Sequence, residues 1–269
     1  MHQVLGHLLA RQNKQVPIDD GRKVVLVLYG GSMTCVRTVA VMQVLQELKL
    51  TSAFDEIYAI SGSFPIASYF LSGQSDRAES IFLENLSGGR FISLKRFWQV
   101  FDTDYLLQVF RDKFPVDLSL LRQSNTRLFL AAHNLSSKKI EYLNLRDYLD
   151  KDHYKLLEIS ATPDYFSPGT ISLNGSQYKD VPFRNFTHKN HFAQAGNSAA
   201  TDILVVFNYA RQRKKVFSEA TPDNTFVLAP DPKWHLSRFE TRIEKLKEQH
   251  RLMKDYARQI LSGIINSDD

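Results

Sequence analysis

The sequence predicts an α/β protein built on a mostly parallel, doubly wound sheet. Two observations carry this. Val24-Val25-Leu26-Val27-Leu28-Tyr29 is a continuous apolar run, the pattern of a parallel strand buried on both faces. It enters Gly30-Gly31-Ser32 and then a helix with apolar positions Val36, Val39, Val41, Val44, Leu45 and Leu48. Phe54 to Ile60 repeats the pattern as a second strand, which turns at Gly62-Ser63 into a helix from Pro65 to Leu71 that stops at Gly73. Strand, turn and helix, twice over, is how such a sheet is wound.

The remaining elements follow in order. Residues 75–123 read as mostly helical, with recurring aromatics at Phe91, Phe97, Trp98, Phe101, Tyr105, Phe110 and Phe114. These fit a core, or the cover of an apolar groove. Arg127 to His133 and Lys139 to Leu143 read as paired strands around Ser136-Ser137. Leu173-Asn174-Gly175-Ser176 reads as a hairpin turn whose second strand ends at Asp180, because Asn-Gly tolerates the positive φ angles of a tight turn. The polar stretch from Arg184 to Ala200 reads as loop, and Thr201 to Phe207 and Thr225 to Ala229 as later strands.

A long helix is expected over 237–264, its stripe running Leu236, Phe239, Ile243, Leu246, Met253, Ala257, Ile260, Ile264 and broken by His250. Between Arg238 and Arg258 it carries seven basic and four acidic residues, so it reads as a packed terminal helix with a solvated face, a coiled-coil partner or a membrane-surface helix. Nothing marks a domain boundary, and the 269 residues are expected to form one domain.

Charged residues are 23% and the net charge is +5, a mild basic bias. A single cysteine, Cys35, excludes an intrachain disulfide and favours a reducing compartment. The first ten residues are too short and polar for a signal peptide, and no run is long enough to span a bilayer. The expected location is cytoplasmic, or exported without a cleavable signal, with any membrane contact peripheral. Gly30-Gly31 lacks the spacing of a nucleotide-binding loop, and no His, Cys, Asp or Glu cluster has metal-ligand spacing, so no cofactor or metal is expected. The basic run Arg211-Gln212-Arg213-Lys214-Lys215 reads as a solvated surface, with anionic lipid headgroups the next choice and nucleic acid unlikely.

Three separated segments fit one site. Gly30-Gly31-Ser32-Met33 lets the backbone turn tightly at a helix start, where amides can face an oxyanion; any strand-to-helix turn could look the same. Ser63 stands at the second turn, either as a displayed nucleophile or as a plain helix cap. Asp180 ends the hairpin strand, placed to orient or deprotonate a serine, or else simply solvated. None of the eight histidines lies in a recognisable triad motif; His133 and His188 are the remaining candidates, each read more readily as structural or exposed.

From Val24 to Pro230 the order of these segments resembles the patatin-like phospholipase family. Tyr29-Gly30-Gly31-Ser32-Met33-Thr34-Cys35 and the following helix resemble its oxyanion loop, and Phe54 to Gly73 its elbow strand, elbow and helix. Ser160-Ala161-Thr162-Pro163-Asp164-Tyr165-Phe166-Ser167-Pro168 and the hairpin from Asn174 to Asp180 are similar to its later segments. The resemblance implies a three-layer α/β/α sandwich and a lipid acyl hydrolase of the phospholipase A type. It also implies a Ser63–Asp180 dyad, with the Gly30, Gly31 and Ser32 loop holding the oxyanion and phospholipid or another lipid ester as substrate.

Departures cluster at the same site. Ser61 and Pro65 stand where the elbow has glycines, Thr34-Cys35 where the loop has Arg-Gly, and Val181-Pro182 where Gly-Gly follows the aspartate. Arg37, one helical turn beyond the loop, is the candidate to substitute for the missing arginine. The alternative expectation is a catalytically impaired relative that binds lipid, or a protein through its last helix.

Overall fold

The computed structural model describes residues 2–14, 18–96, 98–163, 169–182, 189–217 and 220–263. Its centre is β1 (Val24–Leu28), which pairs in parallel with β2 (Glu56–Ile60) on one side and β7 (Asp202–Val206) on the other. β8 (Thr225–Leu228) continues in parallel beyond β7, and β3 (Arg127–Asn134) beyond β2. The far side turns antiparallel, with β4 (Lys139–Asn144) folding back on β3 and a small hairpin of β5 (Ile171–Leu173) and β6 (Ser176–Asp180). Asn174 and Gly175 both take positive φ in that hairpin turn, the conformation their sequence favours.

The all-apolar β1 is explained by its two covered faces. Val24, Leu26 and Leu28 point into one core, and Val25 and Val27 into the other. The first core is roofed by α1 (Gln3–Ala10), α2 (Val36–Glu47) and α3 (Ser63–Leu71), which contribute Leu8, Val39 and Phe70 among others. On it also lie α4 (Ser75–Ser80), α5 (Thr103–Gln108), α6 (Leu118–Gln123) and α7 (His153–Ser160). The second core is covered by α8 (Lys189–Asn197) and α9 (Ala210–Val216), through Ala195 and Val216. This is the mixed α/β sandwich with a mostly parallel sheet.

Residues 75–123 are mostly helical, as expected, over 75–85, 103–113 and 118–123, parted by a stem in which Ile92 bridges Phe101. Two other segments differ from their sequence expectation. The polar stretch expected as loop contains α8, where His191 and Ala195, four residues apart, are the buried positions. So narrow a stripe leaves little periodicity to read. The part of that stretch at residues 184–188 lies outside the described residues.

The last helix, α10 (Ile243–Leu261), starts six residues later than expected. Leu246, Met253, Ala257 and Ile260 are buried in the first core. The interruption at His250 is filled by polar contact with α2, His250 Nε2 lying 2.9 Å from Gln43 Oε1. Lys254 and Arg258 both pair with Glu47 further along α2. The stripe that could have served a coiled-coil partner is thus covered within the chain. Ile264 lies outside the described residues, and no described helix is long and apolar enough to cross a membrane.

Candidate active site

Sheet register brings the elbow and the hairpin together. A strand has two edges, and β4 occupies one edge of β3 from Phe129 to Asn134. The other edge is shared: β2 pairs with Arg127 to Ala131, ending with Ile60 opposite Ala131, and β6 takes over with Asp180 opposite Ala132. β2 and β6 therefore meet end to end on one edge. The residue after Ile60 faces Asp180, and that residue is Ser61.

Ser61 leaves the strand with φ 57°, a left-handed conformation that a non-glycine residue holds only where its surroundings enforce it. It lines a cavity together with Asp180. Ser63, by contrast, is the first residue of α3 and fully buried. Its hydroxyl donates to the carbonyl of Tyr29 at 2.8 Å and has Cys35 Sγ 3.7 Å away. Asn208 Nδ2 donates to the same carbonyl, and Thr38 Oγ1 donates to Asn208 Oδ1 at 3.0 Å. Ser63 thus satisfies a buried carbonyl where the chain leaves β1. The hydroxyl expected at Ser63 to meet the carboxylate is the one at Ser61, two residues earlier.

One signal for Ser61 was present in the sequence. Ala59-Ile60-Ser61-Gly62-Ser63 has small residues two positions either side of Ser61, the room a strained elbow requires. Asn208 carried no such signal, because its role depends on packing between segments far apart in sequence.

The loop after β1 lies against the elbow because β1 and β2 are parallel neighbours whose C-terminal ends coincide. A Cβ on Gly30 would come within 2.8 Å of Ser61 Cβ and 2.9 Å of the Ile60 carbonyl, so glycine is required by close approach. A Cβ on Gly31 would collide with Thr34 Oγ1, which donates to the Gly31 carbonyl at 2.8 Å. Ser32 has φ 54°, and its buried hydroxyl oxygen has no hydrogen-bond partner among the described residues. Ser32 also lines the cavity. Further on, the Met33 amide donates to the Arg238 carbonyl at 3.3 Å and the Thr34 amide to the Gly31 carbonyl at 3.2 Å.

Asp180 is 1% exposed. Burial pushes its carboxyl well above the ordinary carboxylate range, while the Ser61 hydroxyl and the Val181 amide work in the opposite direction. The Val181 amide donates to Asp180 Oδ1 at 2.8 Å. The Ser61 hydroxyl also has the Ser160 carbonyl as a long contact at 3.5 Å. From this pair a narrow cavity, about 50 Å³, extends between Phe82, Leu86, Phe91, Phe101, Leu106 and Phe110. A hydroxyl beside a carboxylate of raised proton affinity, facing an apolar cavity, can exchange a proton next to an apolar group.

Arg37 does not join this group. It is 1% exposed, donates to the carbonyls of Asn208 and Trp234 and to Gln249 Oε1, and so ties α2 to α10 and the chain before it. Burial without a carboxylate among those partners pulls its guanidinium down to about 10. Cys35 is a buried thiol pushed up to about 12 by desolvation, which leaves it unreactive. His133 lines a different cavity, with Lys138 and Tyr142. His188 and the Phe166 to Pro168 stretch lie outside the described residues.

No known protein-family description matches the sequence, and no curated protein matches it. Solved structures do. Human GIVD cytosolic phospholipase A2 in complex with methyl gamma-linolenyl fluorophosphonate superposes with a TM-score of 0.56 at 12% identity, over 97% of this chain and 60% of that one. The same human enzyme with terbium also present gives 0.54 at 13% identity, over 97% and 61%. VipD from Legionella pneumophila gives 0.49 at 12% identity, over 90% and 67%. The chain spans about three fifths of the length of the human enzyme. At these identities the likeness is one of architecture: the chain has a divergent patatin-like fold.

Proposed function

We propose that this chain is a serine acyl hydrolase of lipid esters, with Ser61 as nucleophile and Asp180 as its base. The observation that carries the reading is the meeting of a left-handed elbow serine and a buried carboxylate in one apolar cavity. Ser61 Oγ attacks the ester carbonyl carbon as its proton passes to Asp180. The carbonyl oxygen becomes an oxyanion, held by the amides of Gly31 and Ser32 and by the Ser32 hydroxyl. The Met33 and Thr34 amides are already engaged by carbonyls, which leaves the hole to the two residues before them. Collapse expels the alcohol, which takes the proton from Asp180 and leaves an acyl-serine. Water repeats the sequence and releases the fatty acid. The phenylalanines and leucines of the cavity hold the acyl chain, which fits a fatty acyl ester better than a short polar one.

The likeness to a human cytosolic phospholipase A2 supports the substrate class through its fold, and the choice of phospholipid within that class belongs to this proposal. The test is release of fatty acid from phosphatidylcholine vesicles and from a monomeric acyl ester. Ser61→Ala and Asp180→Asn are expected to lose about a thousandfold or more, and Ser63→Ala to keep turnover within about tenfold. Wild-type protein that releases nothing from either substrate, with a cell extract added as activator, contradicts the reading. It then favours a binding role for the same cavity.

A further inference from the structure

The geometry points to a membrane-docking finger beside the cavity, formed by residues 93–96, 98 and 99 and directed at an anionic phospholipid surface. The finger has a fixed stem. Ile92 bridges Phe101, the Ser93 amide donates to the Val100 carbonyl at 3.0 Å, and the Asp102 amide to the Phe91 carbonyl at 2.8 Å. Arg96 staples the stem, pairing with Asp102 at 3.2 Å and donating to the carbonyls of Arg90 and Phe91. At the tip, Leu94 is 67% and Trp98 64% exposed, the two most exposed large apolar side chains among the described residues.

Single exposed apolar residues are ordinary. A leucine and a tryptophan together on one stapled tip are not, because most of the surface of both is left to solvent instead of being buried. Two further observations select a bilayer as the occupant. Lys95, exposed, puts a cation beside the apolar tip, and the stem's own Asp102 is paired with Arg96. The stem also continues into the cavity, since Phe91 and Phe101 at its base are cavity walls. A tip sunk at headgroup depth, where tryptophan prefers to lie, would bring the cavity wall formed by those phenylalanines towards the acyl region. For its substrate this inference rests on the lipid-ester reading; as a binding surface it stands alone.

The test uses full-length Ser61→Ala protein, so that no lipid is consumed. Its sedimentation is measured with vesicles of phosphatidylcholine alone and of phosphatidylcholine with phosphatidylglycerol. Preferential binding to the mixed vesicles is expected. Adding Leu94→Glu with Trp98→Glu should weaken it about tenfold or more, and adding Lys95→Glu about fivefold. Melting temperature checks folding of each variant. In a Trp234→Phe background, Trp98 is the remaining tryptophan. Its emission should shift to the blue on vesicles and be quenched by phosphatidylcholine brominated near the headgroup end of its chains.

Absence of vesicle binding, unaltered binding by the double variant, or an unquenched Trp98 overturns the proposal. So does self-association that depends on Leu94 and Trp98 without vesicle binding, which would assign the tip to a second copy of the chain. Binding through the tip in a protein whose wild type lacks esterase activity upholds this surface and removes the hydrolase reading alone.

Discussion

Gly30 and Ser61 approach so closely that no side chain fits between them: a Cβ built on Gly30 would lie 2.8 Å from Ser61 Cβ. The neighbouring obstacle is the Ile60 carbonyl, part of a strand held in the sheet, so it cannot yield cheaply. Gly30→Ala should displace the loop from the elbow. Ester turnover is expected to fall about a hundredfold, since small misplacements of reacting groups are costly. Overpacking should cost only about 1–3 kcal/mol in stability. Turnover and denaturant unfolding, measured together, separate the two effects.

The burial of Asp180 sets an opposition between activity and stability. Its folded-state pKa is raised, so the unfolded chain releases this proton at lower pH than the folded chain does. The carboxyl therefore lowers stability progressively as pH rises above its ordinary value of 3.8, until the folded group has itself ionised. Asp180→Asn removes that penalty. It should raise the melting temperature at pH 7, with the gain shrinking as the pH is lowered towards 4, while turnover is lost. For the same reason the acidic limb of the wild-type kcat/KM profile should lie well above an ordinary carboxylate. A limb at the ordinary value, or a destabilised Asp180→Asn protein at pH 7, would count against Asp180 as the buried base.

Arg37 should prove a structural residue. Its replacement by alanine leaves the Asn208 and Trp234 carbonyls without this donor and opens the contact between α2 and α10. A loss of about 3 kcal/mol or more is expected in denaturant unfolding. Lysine should rescue it only in part, lacking the fork that reaches three partners. The folded fraction of either variant should keep turnover within about threefold of wild type.

Cavity width should set acyl preference. Leu106→Trp places extra volume on a wall of the channel. The ratio of kcat/KM for a long-chain over a short-chain ester is expected to fall about tenfold or more, the usual yield of a few methylene contacts. A ratio that does not move would put the acyl chain elsewhere.

The sequence made the architecture legible where chemistry repeats at short range. The apolar run of β1, the turn glycines and the Asn174-Gly175 hairpin each carry local signals, and the structure contains all three. The site was legible as segments and not as atoms. Ser61 and Ser63 both follow an apolar strand and precede a helix, and the choice between them depends on where β2 ends. That end is set by β6 taking over the edge of β3, a pairing across more than forty residues that leaves no local mark. The burial of Arg37 was hidden for a similar reason: its partners on Asn208, Trp234 and Gln249 come from three distant segments. Among the aromatics between α4 and α6, Phe91, Phe101 and Phe110 line the cavity, a placement that no local spacing marks.

The most direct measurement is the mass-spectrometric location of a fluorophosphonate adduct after labelling of the wild type. The elbow peptide contains both Ser61 and Ser63, so fragmentation must separate them. The adduct is expected on Ser61, absent in Ser61→Ala and Asp180→Asn and retained in Ser63→Ala. An adduct on Ser63, or labelling that survives Ser61→Ala, would contradict the assignment of the nucleophile to the left-handed end of β2.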